Sequence, residues 1–79
     1  MTKEEIFEEL KGVLANVKPK LDLKLATMDA SLVGDLGIDS LSMLLISLAV
    51  ENRFNIQFKT QETFQTVGEV VQYIFDSQS

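Results

Sequence analysis

Apolar side chains recur near the start of the chain at the spacing of an α-helix. Ile6, Leu10, Val13, Leu14 and Val17 share one face, while Glu4, Glu8, Glu9 and Lys11 fall on the other. Thr2 and Glu5 stand at the spacing of a capping box, which satisfies the unpaired amide donors of a first turn. Pro19 cannot continue a helix, and Lys18 suits the negative end of its dipole. The pattern predicts a helix over residues 3–17. The far end repeats the logic: Thr66 and Glu69 form a second capping-box pair, and Val67, Val70, Val71, Ile74 and Phe75 make one stripe. Gly68 lowers the helix propensity slightly, in the first turn where that matters least.

A middle helix is expected over residues 40–53, with Asp39 as its N-cap. It is apolar on two sides. Leu41, Leu44, Leu45 and Leu48 make one stripe; Met43, Ile46, Val50 and Phe54 make another. Such a helix is buried all round or offers apolar surface to another molecule. The connection from Pro19 to Asp39 carries Leu21, Leu23, Leu25, Met28, Leu32, Leu36 and Ile38, so it should pack across the helices, with a short helical turn near residues 31–33. The alternation from Leu21 to Leu25 is a strand pattern without a second strand to pair with, which favours an ordered, extended loop. Residues 60–64 suit a short additional helix. The fold class is all-α, and one domain covers residues 1–79.

Composition narrows the chemistry. The 79 residues include no Cys and no His, which removes disulfides, thiolate nucleophiles, the commonest general base and the commonest metal ligand. Twelve acidic against seven basic side chains give a net charge of −5, which disfavours nucleic acid and anionic membranes and favours proteins with basic patches. The start of the chain turns acidic where a secretory signal needs an apolar segment, and no run reaches the length of a membrane span. The expected setting is the cytoplasm. Lys18, Lys20 and Lys24 read as a solvated loop edge. Asp29, Asp35 and Asp39 lack the spacing and distal Glu of a calcium loop.

The most informative stretch runs Gly34-Asp35-Leu36-Gly37-Ile38-Asp39-Ser40-Leu41. Its glycines allow a tight turn and close approach by another molecule. Ser40 then falls in the first turn of the middle helix, where free amides and the dipole favour a phosphate ester on its oxygen. No His stands in the chain to deprotonate it, so Ser40 suits modification by another enzyme better than nucleophilic catalysis of its own.

Asp39-Ser40-Leu41, preceded by Asp35-Leu36-Gly37, resembles the Asp-Ser-Leu signature of acyl carrier proteins. The capped first helix, the long leucine-bearing connection, Glu51-x-x-Phe54-x-Ile56 and Val70-Val71-x-Tyr73-Ile74 fall in the family's order, so the resemblance covers nearly the whole chain. It implies a four-helix bundle of acyl-carrier type, with three main helices and a short one. It implies that a phosphopantetheinyl transferase moves 4′-phosphopantetheine from coenzyme A onto Ser40, flanked by Asp39 and Leu41. It further implies a non-catalytic, monomeric carrier read by acyl-transferring or acyl-modifying enzymes, without nucleic acid or membrane insertion. Ordinary burial would place Leu44, Leu45 and Leu48 in the core. The resemblance instead sets Leu45 and Leu48 on the partner side, with Asp35 and Glu51 as further contacts.

The chain departs from fatty-acid-type carriers where Ser42, Leu45, Asn52 and Arg53 replace residues that are usually acidic in the family. Between Ser40 and Phe54 only Glu51 is acidic, and Arg53 offsets it. Charge steering acts mainly on association rate and specificity. The expectation is therefore a carrier of a specialised lipid or polyketide pathway. The alternatives are an amino-acid carrier of a peptide-synthetase pathway, or a non-modified helical adaptor that binds through the middle helix.

Overall fold

The computed structural model describes residues 1–58 and 64–78. Helix α1 is Lys3–Val17, α2 is Ser40–Phe54 and α3 is Val67–Ser77. Both capping boxes form: Thr2 and Glu5 exchange hydrogen bonds at the start of α1, as do Thr66 and Glu69 at the start of α3. Asp39 caps α2, which ends at Asn55 in the left-handed conformation, φ 55°. The described chain is all-helical in its named elements. The short helix expected over residues 60–64 lies outside the described residues except for Phe64.

Helix α1 is the element against which both others pack. Ile6, Leu10 and Leu14 meet Val50 of α2 and Val67, Val71 and Ile74 of α3 in one core, completed by Leu32 and Ile38 from the connection. At about 1.5–3 kcal/mol for each fully buried Leu, Ile or Val, these side chains supply most of the drive that a cysteine-free domain of this size needs. No helix among the described residues is long and apolar enough to cross a membrane.

The connection departs from expectation in its first half. Asp22 accepts a hydrogen bond from the Lys24 amide at 3.0 Å and closes a 3-10 turn, Leu23–Leu25, in place of an extended segment. Leu23 and Leu25 are exposed, and the chain anchors through the small side chains of Ala26 and Ala30. A capped turn of three residues cannot aim all its side chains inward, so these leucines do not cross the bundle. The second half packs as expected, burying Leu32, Leu36 and Ile38. The helical turn expected near residues 31–33 appears slightly later, as turns over residues 32–36 closed by amides of Asp35 and Leu36 on the Ser31 carbonyl.

A backbone clasp fastens this connection to α3. Ser31 and Thr66 form an isolated antiparallel bridge, with the Leu32 amide 2.9 Å from the Gln65 carbonyl oxygen and the Val67 amide 3.1 Å from that of Ala30. The Gly68 amide donates to the Met28 carbonyl at 2.8 Å, and a Cβ on Gly68 would stand 2.9 Å from that same oxygen. Gly68 is thus a close-approach residue, a role its helix propensity does not reveal.

Candidate functional site

Ser40 is the first residue of α2 and is exposed. Three local devices place it. Gly37 adopts φ +64°, a left-handed turn that a residue with a Cβ takes at a cost. The Ile38 amide then bonds the Leu32 carbonyl at 2.9 Å and the Ile38 side chain is buried, so the chain is anchored two residues before Ser40. Asp39 follows with extended backbone, and its carboxylate accepts the Ser42 amide at 2.7 Å while its carbonyl accepts that of Met43 at 2.8 Å. Helix geometry leaves the amides of Ser40 and Leu41 without an intrahelical acceptor, beside the serine oxygen.

The electrostatics favour an anion on the protein side of this turn as well. The hydrogen bond from the Ser42 amide holds the Asp39 carboxyl below its usual range, and the positive charge of Lys18 adds to the effect. Lys18 itself is half-buried, and its ammonium donates to the Gly37 carbonyl at 3.0 Å. The reading of Lys18 as part of a solvated loop edge is therefore corrected. An acceptor 19 residues away in the chain recruits it, a pairing that no local pattern signals.

An open cleft of about 500 Å³ begins at Ser40, lined by Val33, Ile38, Asp39, Met43, Ser47 and Phe64. Met43, Ser47 and Phe64 also line a smaller, more enclosed apolar gap that reaches Leu10, Leu14 and Val70 in the core. The Ser47 hydroxyl donates to the Met43 carbonyl at 2.9 Å, which satisfies it at the boundary of the two spaces. Phe64, Phe58 and Tyr73 form a triad of rings with centroids 5.1–5.5 Å apart behind this region. No group of His, Cys, Asp and Glu that could hold a metal occurs among the described residues.

The other residues singled out in the sequence are dispersed around Ser40. Asp35 is exposed, and its carboxylate accepts the Ser31 amide at 2.8 Å, bracing the turn. Glu51 is half-buried and accepts the Phe58 amide at 2.8 Å, while Arg53 pairs with Glu9 of α1 and not with Glu51. The two stripes of α2 separate cleanly. Ile46 and Val50 are buried, with Met43 and Phe54 partly so. Leu41, Leu44, Leu45 and Leu48 are 67, 56, 46 and 54 % exposed. Leu44 joins Leu45 and Leu48 outside, against ordinary burial, because α1 occupies only the opposite side of α2.

The site can hold a substituent on an exposed serine at a helix N-terminus, with apolar shelter adjacent. Comparison with known proteins identifies the family. The sequence model of the family described as the phosphopantetheine attachment site matches residues 8–74. An acyl carrier protein of Helicobacter pylori is 36% identical over 74 residues, covering 91% of this chain and 94% of its own. One from Coprothermobacter proteolyticus is 37% identical over 76 residues, covering 94% and 92%. One from Onion yellows phytoplasma is 38% identical over 71 residues, covering 87% and 92%. With a matching family model across most of its length and relatives above a third identical, the chain belongs to the acyl carrier protein family of phosphopantetheine-binding carriers.

Proposed function

We propose that Ser40 is the attachment residue for 4′-phosphopantetheine, the covalent cofactor of this family, and that the chain presents acyl groups to enzymes that transfer or modify them. The observation that carries this reading is an exposed hydroxyl at the first residue of α2, opening directly on a cleft. When attached, the cofactor supplies a thiol that holds acyl groups as thioesters, a chemistry that a chain without Cys does not otherwise possess.

Each residue of the turn has a part. The Ser40 and Leu41 amides would hold the attached phosphate, Asp39 fixes the helix start, and Gly37 supplies the left-handed turn that leads into it. Asp39 is engaged with the Ser42 amide, and no His exists, so removal of the Ser40 proton falls to the transferase. The carbon chemistry belongs likewise to partner enzymes, and the chain acts as a monomeric carrier in the cytoplasm. The scarcity of acidic side chains on α2 supports partners of a specialised lipid or polyketide pathway. Among the contact residues, Leu45 and Leu48 suit direct partner contact by their exposure. Asp35 and Glu51 act first on their own backbone.

The test is intact mass after incubation with coenzyme A and a broad-specificity phosphopantetheinyl transferase. One added phosphopantetheine on the wild type, absent from Ser40→Ala, is expected. No gain with several transferases would instead support an unmodified helical adaptor, and an arm that accepts amino acids in preference to acyl groups would support peptide-synthetase carriage.

A further inference from the structure

We propose that Lys18 is a positioning residue for the phosphate borne by Ser40, its ammonium pairing with the phosphodiester at the base of the arm; this rests on the assignment of Ser40 as attachment residue. The Lys18 side chain starts from a fixed point. Its amide donates to the Leu14 carbonyl at 2.8 Å as the cap of α1, and its own carbonyl accepts the Leu21 amide at 2.9 Å. From there the ammonium reaches the Gly37 carbonyl at 3.0 Å, in the turn that leads into Ser40. An ammonium carries three donors on a flexible stem, so two remain for an anion that arrives beside it. Pairing with the phosphate thus adds to the bond with Gly37 and need not replace it.

Charge gives this cation its task. A phosphodiester adds one negative charge to a chain whose net charge is already −5, in a turn that holds Asp35 and Asp39. Asp39 directly precedes Ser40, and like charges so close repel. The field of Lys18 already extends to this place, because the Asp39 carboxyl is lowered first by the Ser42 amide and further by Lys18. Other cations are committed elsewhere: Lys3 stands over the Phe75 ring, Lys11 pairs with Glu8, and Arg53 pairs with Glu9. Among the described residues, Lys18 is the cation whose ammonium touches the serine turn.

The grip has a thermodynamic consequence. Lys18 belongs to the end of α1 and Ser40 to the start of α2, so an ion pair between them ties the two helices together. Repulsion alone predicts that attachment weakens the fold, since the net charge grows. The Lys18 pair acts in the opposite direction, and it acts only in the modified protein. Lys18 is half-buried as well, so salt screens the pair less than it would screen two fully exposed groups.

The experiment melts the wild type, Lys18→Met and Lys3→Met, each with and without phosphopantetheine on Ser40, in low salt. Loss of the Gly37 bond weakens both forms of Lys18→Met alike, so it cancels in the difference between them. Lys3→Met removes the same charge about 20 Å away along α1 and controls for overall repulsion. The change in Tm on attachment should be roughly 2–5 °C less favourable in Lys18→Met than in the wild type. Lys3→Met should match the wild type. The ³¹P resonance of the modified protein should move with Lys18→Met and stay with Lys3→Met. In the wild type itself, attachment should shift the side-chain ¹⁵N resonance of Lys18, a readout that needs no variant to fold. Equal changes in Tm for Lys18→Met and the wild type, a Lys3→Met that behaves as Lys18→Met, or an unmoved Lys18 resonance would each overturn the proposal. Failure of the wild type to gain mass at Ser40 would instead overturn the attachment reading, so the two are separable.

Discussion

The ammonium of Lys18 donates a hydrogen bond to the carbonyl oxygen of Gly37 across 3.0 Å, fastening the end of α1 to the turn that delivers Ser40. Replacing Lys18 with Met should cost about 1 kcal/mol, the usual net worth of such a bond at a surface. Replacing Gly37 with Ala should cost about 1–2 kcal/mol through its left-handed backbone. Urea melts measure both. The two variants should also be modified by the transferase more slowly than their loss of stability explains, because the position of Ser40 is affected before the fold is.

The Asp39 cap gives α2 an acid sensitivity of definite sign. Its carboxyl is held below the usual range by the Ser42 amide and then by Lys18, so its folded pKa is lower than its unfolded one. The stabilisation is therefore fully present above the unfolded value, near pH 4, and is lost as pH falls through the lowered folded value. The Ser42 amide shift, followed by NMR between neutral and acid pH, should titrate below the ordinary aspartate range. Asp39→Asn should abolish that titration.

Gly68→Ala sets helix propensity against packing. Alanine is better than glycine in a helix interior by about 1 kcal/mol and by less in the first turn, which alone predicts a slightly more stable protein. The added methyl would stand 2.9 Å from the Met28 carbonyl oxygen, a backbone atom held in the clasp. Overpacking of this kind costs about 1–3 kcal/mol. The variant should melt at a lower temperature than the wild type.

The Arg53–Glu9 pair joins α2 to α1 at the protein surface, its two side chains 56 and 36 % exposed. A double-mutant cycle with Arg53→Ala and Glu9→Ala should return a coupling of about 0–1 kcal/mol, falling further in high salt. A larger coupling would mean that the pair is screened less than its exposure implies.

The helices were legible because each rests on local signals: capping boxes at Thr2 and Thr66, a cap at Asp39, and stripes with a period of 3.6. The position of Ser40 at a helix start followed from the same local chemistry. Contacts between distant segments were not legible. Leu23 and Leu25 carry the same apolar signal as Leu32, and only the turn closed by Asp22 shows why they face water. Nothing adjacent to Lys18, Glu51 or Gly68 betrays their acceptors or the close approach. For α2, periodicity separated two apolar stripes correctly but could not say which one α1 would cover.

The clasp between residues 28–32 and 65–68 has a consequence for how this protein can change. The chain leaves for the serine turn at Leu32 and returns at Gln65, with the two backbones only 2.9 Å apart. The clasp fixes where the serine turn departs, and α2, which follows, is held to α1 through Ile46 and Val50 in the shared core. Substitution of the exposed side chains on the outer side of α2 leaves both the clasp and that core untouched. The outer side of α2 can therefore vary without redesign of the core beneath it.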